Sequence, residues 1–239
     1  MAKSFRGSSG VTDGIEEEAK TFLSEWRARG EMSPTNDAAP FLPEVIGLAR
    51  THARDAIPDF VSLRLIPIQG SDLEAIEGQA AAVLAATLAE YRSWGRRAPT
   101  QAQMDKTILQ RQGFLRPFIF DAEGIFEKGD YAKIVRGLSD ISEGNFVPEE
   151  LADVIPETGD SEVSFLFRGR QQTIHLQNLG DWVDVGGLLK GINATMGTQG
   201  VQSAYWLSHP SGQDVEVWFL EESQAKGLQR RDWELVLPI

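Results

Sequence analysis

The sequence predicts an α+β fold: a helix-rich N-terminal part with one or two short strands, then a C-terminal ββαββ-type antiparallel sheet with helices on one face. Two observations carry this reading. Before residue 157 apolar residues recur mostly three and four apart between capping signals, whereas beyond it they mostly alternate. Between the two patterns lies "PETGDSE", a polar, turn-rich stretch of the kind that separates domains. The expected division is a flexible tail over 1–12, a helix-rich domain over 13–157 and an α+β domain over 158–239.

Asp13 is a candidate N-cap, with Glu16 three residues on. Ile15, Ala19, Phe22, Leu23 and Trp26 then form an apolar helical stripe that Gly30 stops. A polar linker, "EMSPTNDAAP", leads to a second helix that opens near Pro43 and is expected to end before Pro58. "FVSLRLIPI" (Phe60 to Ile68) reads as a short strand, pushed toward a sheet edge by Pro67. The longest helix follows, with a capping box at Ser71 and Glu74 and one face formed by Leu73, Ile76, Ala80, Val83, Leu84, Leu88 and Tyr91. A second capping box, Thr100 and Gln103, opens another helix. "RPFIFDAEGIFEKGD" suggests a short strand, or a hairpin turning at Asp121 to Gly124. "DYAKIVRGLSDI" and "VPEELADVI" read as two more helices.

In the C-terminal part, "EVSFLFRGRQQTIHLQ" alternates Val163, Phe165 and Phe167 against polar neighbours, turns at Gly169 and returns through Ile174 and Leu176. That is a β-hairpin pattern. The stretch "GDWVDVGGLLKGINATMG" then reads as a helix capped by Asp181 or Asp184, with Leu188, Ile192 and Met196 four apart. Gly187 and Gly191 lower its helix propensity, so a close approach to a sheet carrying Phe165, Phe167, Tyr205 or Trp206 is the expected compensation. "VQSAYWLS", a turn at "HPSGQ", "DVEVWFL", a helical "EESQAKGLQ" and a final "DWELVLPI" complete the unit.

Composition narrows the function. The 239 residues are 41% hydrophobic and 24% charged, as in a folded protein. Cysteine is absent, which removes disulfides and thiolate chemistry and suits a reducing interior. The first fourteen residues lack the apolar run of about seven that an export signal needs, so the cytoplasm is the expected compartment. No window approaches the roughly eighteen apolar residues of a membrane span. The formal charge of −12 repels phosphate backbones, so nucleic acid is not an expected ligand. Arg92, Arg96 and Arg97 cluster where a helix should end, and there they complement its dipole.

Signatures of chemistry are weak. Lys190 stands between Leu189 and Gly191, which fails the phosphate-loop pattern, and Gly186 and Gly187 are adjacent, which fails the dinucleotide fingerprint. "DAEGIFEKGD" lacks the spacing of a calcium loop. His52, His175 and His209 are scattered, and His52 is expected on a solvated helix face shared with Asp55. No serine sits in a nucleophile elbow. No catalytic residue, metal ligand or cofactor is assigned from these patterns.

Aromatics supply the remaining signal. Four of the six tryptophans, Trp182, Trp206, Trp218 and Trp233, fall in the last sixty residues. Most are expected in the core, but Trp182 precedes a helix and lies between acids. Asp181, Trp182 and Asp184 are therefore the expected partner-binding residues, suited to a protein with a basic surface. The function read from the sequence is an acidic, non-catalytic protein-binding module of the inhibitor, immunity or adaptor type. Two alternatives stand beside it: a hydrolase or transferase using carboxylates and a histidine at an interdomain cleft, and a structural subunit of a larger assembly. The oligomeric state is not legible.

Overall fold

The computed structural model describes residues 9–31, 37–67, 72–208 and 213–238. Expectations for residues 1–8, for Ser71, for His209 and for the turn at 209–212 lie outside them. The chain is α+β and divides into two compact units, 1–115 and 116–239. The division falls at Leu115 and not near 157, because residues 116–157 build the second unit's core.

Among the described residues, the regular elements of the first unit are all helical: α1 (Ser9–Ala28), a 3-10 turn (Ala39–Phe41), α2 (Leu42–Ser62), α3 (Leu73–Ser93) and α4 (Gln101–Arg111). Its centre is α3, buried without a break from Ala80 to Ala86, which packs against α1, α2 and α4. A helix apolar on all sides has to sit at the centre of its unit. Thr100 and Gln103 form the expected capping box on α4.

Two expectations fail in this unit, and the α3 cap at Ser71 lies outside the described residues. α1 begins at Ser9, so Asp13 lies inside it and residues 9–12 are helical. α2 runs through Pro58, and no strand follows it among the described residues of this unit. Pro58 and Arg54 both lie on the exposed face, where a carbonyl left unpaired by the proline costs least, while Ile57 and Phe60 stay buried. Arg64 then takes a left-handed backbone (φ 57°), and Leu65 and Ile66 fold back to bond the Phe60 carbonyl. The apolar run 60–66 is a packed helix end.

The second unit runs β1 (Phe118–Asp121), α5 (Asp130–Ile141), β2 (Glu149–Val154), β3 (Ser161–Phe167), β4 (Arg170–Leu176), α6 (Val185–Thr198), β5 (Ser203–Ser208), β6 (Asp214–Glu221), α7 (Glu222–Gln229) and β7 (Leu235–Val236). These strands form two antiparallel sheets, β1-β6-β5-β7 and β2-β3-β4. The two hairpins foreseen in one sheet thus belong to different sheets. β1 is the expected short strand, but its partner is β6 and not a local hairpin strand.

"VPEELADVI" forms β2 where a helix was expected. Val147, Leu151 and Val154 are helically spaced, yet Val147 and Val154 are 55% and 59% exposed, so no apolar stripe is buried. The segment pairs with β3 instead, across a bulge between Glu149 and Ala152, with Glu150 at φ 49°.

Val163, Phe165, Phe167, Ile174 and Leu176 of the β3-β4 hairpin bury as their alternation predicts, and Phe146 packs on Phe165, Phe167 and Tyr205. Both faces of the four-stranded sheet are buried at β5 and β6, whereas Ile119 of β1 is exposed. Tyr205 and Val217 join the main core, while Trp206 and Trp218 occupy the opposite face, where Trp218 meets Trp233 edge-on.

Candidate functional site

The shoulder before α6 is fastened from three directions. Asp184 caps the helix, its Oδ1 accepting from the Gly187 amide at 2.9 Å, and its Oδ2 accepts from the Gln177 amide at 3.0 Å. Its own amide donates to the Tyr131 hydroxyl at 3.1 Å. Burial, more than that bond, decides the Tyr131 phenol, whose pKa is raised. A Cβ on Gly187 would stand 2.2 Å from the Asp184 carboxylate, so that glycine exists to admit the cap. Gly191 admits a neighbour instead: a Cβ there would meet the Ile174 side chain of β4 at 2.7 Å. The expected close approach to a sheet is present at Gly191 alone, and its partner is Ile174 and none of Phe165, Phe167, Tyr205 or Trp206.

A second segment, 121–127, runs beside the shoulder. The Val183 amide donates to the Ala122 carbonyl at 2.8 Å and the Ile125 amide to the Asp181 carbonyl at 3.0 Å. Trp182 stands opposite Glu123 in an isolated antiparallel bridge, and Gln213 donates to the Glu123 carboxylate. Asp130 fixes the far end, its Oδ2 accepting from the Phe126 and Glu127 amides at 2.9 Å each while Lys133 donates to its Oδ1. Burial alone would raise the Asp130 pKa, but the lysine and the two amides outweigh it and hold the carboxyl below its ordinary value. From β2, the buried Asp153 accepts the Gly129 and Ala132 amides and so caps α5 from outside its own segment.

On these fastened backbones three large apolar side chains face solvent: Phe126 is 72% exposed, Leu179 48% and Trp182 41%. Exposed acids accompany them, with Asp121 and Glu127 on one segment and the half-buried Asp181 on the other. Of the three expected residues, the structure brings Asp181 and Trp182 to this surface and commits Asp184 to the fold. Sequence reasoning missed Phe126 and Leu179. "GIFEKGD" carries the signal for Phe126, an aromatic in a glycine-bounded loop with charged neighbours.

Other candidates resolve into structure. His52 was expected on a solvated face, but it is buried and its Nε2 lies 2.7 Å from Asp105 Oδ1. His175 is exposed on β4, beside Glu162. Arg92 does lie in the last turn of α3. Among the described residues no three His, Asp or Glu side chains converge as metal ligands, and no helix is long and apolar enough to cross a membrane. No family model, no curated protein and no solved structure matches the chain.

Proposed function

We propose that this chain is an acidic protein-binding module of the inhibitor, immunity or adaptor type, whose partner presents a basic surface with a pocket for an aromatic side chain. The observation that carries the reading is Trp182, 41% exposed on a backbone hydrogen-bonded to the segment bearing Phe126. Exposed aromatics on rigid loops are the usual anchors of a binding surface, because they bury much area and lose little conformational entropy. The acids around them, in a chain of net charge −12, favour a cationic partner and speed encounter with it. Asp181 and Trp182 are the contact residues on this reading. Asp184 sets the angle at which they are presented.

The test is affinity capture from the native organism with the full chain, quantified by mass spectrometry, alongside an Asp181→Lys/Trp182→Ala variant shown by thermal melt to be folded. The expected result is a stoichiometric basic protein that the variant loses. Retention of the same partner by the variant overturns the assignment of this surface.

A further inference from the structure

The helical unit carries a groove of about 200 Å³ between α2 and the C-terminal end of α3. Val45 and Leu48 from α2 and Leu88 from α3 make its floor apolar, and Tyr91 lines it beside Arg92 and Arg96. The Arg96 guanidinium carbon lies 4.9 Å from the Trp94 ring centroid and 5.7 Å from that of Tyr91. Stacking of this kind holds the guanidinium plane and leaves its N–H edge available. Among the described residues Arg96 makes no hydrogen bond or ion pair, and its charged neighbour is Glu90, which it attracts through space. Arg92 has only a long contact, Nε to Glu44 Oε2 at 3.5 Å, between two exposed side chains, a pair weak enough to be displaced.

We infer that this groove binds a small anionic amphiphile, a carboxylate on a compact aromatic or aliphatic body. The carboxylate lies on Arg96 and Arg92 and the body on Leu48 and Tyr91. Size selects the ligand, since a cavity of about 200 Å³ is smaller than the roughly 300 Å³ at which sites for drug-sized molecules begin. Arg96 selects the head: its guanidinium edge matches a carboxylate through two parallel bonds, while Glu44 at Arg92, Glu90 near Arg96 and the roughly half charge at the carbonyl end of α3 lower the positive charge of the groove without occupying that edge. This site is independent of the acidic surface proposed above.

The probe is 4-phenylbutyrate, titrated into the full chain by calorimetry beside its neutral amide and a peptide ending in phenylalanine with a free carboxylate. The acid is expected to bind saturably, with the amide weaker by about tenfold or more. Arg96→Gln and Leu48→Ser should each weaken the acid by a similar factor without lowering the melting temperature, whereas Arg136→Gln in the other unit should change nothing. Equal binding of acid and amide, indifference to Arg96→Gln, or no saturation by about 10 mM overturns the proposal. Tighter binding of the peptide overturns the small-molecule assignment and moves the site to a polypeptide terminus.

Discussion

His52 Nε2 and Asp105 Oδ1 lie 2.7 Å apart, joining α2 to α4 across 53 residues of chain, with His52 only 8% exposed and Asp105 fully buried. A buried polar group that loses its partner costs about 1–3 kcal/mol. Asp105→Ala should therefore destabilise the chain by at least that much in urea unfolding. Asp105→Asn, which keeps an oxygen in reach of the imidazole, should cost less. A wild-type midpoint for Asp105→Ala would show that the contact does not hold the helices together.

How much was legible follows from which interactions are local. The α6 helix was readable because its signals lie within one segment: Asp184 caps it, and Leu188, Ile192 and Met196 are fully buried. The β3-β4 hairpin was readable for the same reason, its turn and its alternation being contiguous. β2 was not, because what makes it a strand is the free edge of β3, and its helically spaced valines carry no sign that they will be exposed. His52 looked solvated because Asp105 is distant in sequence. Trp182 was nominated and Phe126 was not: its loop signal is local, but what sets it beside Trp182 is the pairing of the two segments through the Ala122–Val183 and Ile125–Asp181 bonds.

Glycines in α6 should respond in opposite directions to alanine. At Gly197 no atom lies within 4 Å of a new Cβ, so Gly197→Ala should stabilise by about 0.5–1 kcal/mol through helix propensity. At Gly191 the Ile174 side chain would stand 2.7 Å away, and overpacking should turn that gain into a loss of about 1–3 kcal/mol. Pairing Gly191→Ala with Ile174→Val should recover part of it. Urea unfolding of the four chains checks the signs, and equal responses at the two glycines would refute the close helix-sheet approach.

The acid limb of stability should depend on Asp130. Its carboxyl is held below its ordinary value in the folded chain, so its contribution is present above the unfolded value, about pH 4, and is lost as pH falls through the folded one. Asp130→Asn removes the titration, and the melting temperature of that variant should fall less steeply below about pH 4 than that of the native chain. Because Asp130 also holds the Phe126 and Glu127 amides, amide exchange in that loop should quicken in the variant at neutral pH. Parallel melting curves through the acid range would remove Asp130 from this role.

Trp182 and Asp184 are two residues apart yet should separate stability from binding. Asp184 uses both carboxylate oxygens inside the fold, so Asp184→Ala should cost about 0.5–2 kcal/mol as a lost helix cap. Trp182 is 41% exposed, so its truncation to alanine should cost the fold far less than the roughly 3–5 kcal/mol of a core tryptophan, and less than the loss of the Asp184 cap. Partner binding should respond in the reverse order, with Trp182→Ala losing affinity by about tenfold or more, as an aromatic anchor would. Thermal melts and surface plasmon resonance against the captured partner give the two rankings. If both variants rank the same way in both measurements, Trp182 is a packing residue of the shoulder, and the binding surface has to be sought elsewhere on the acidic face.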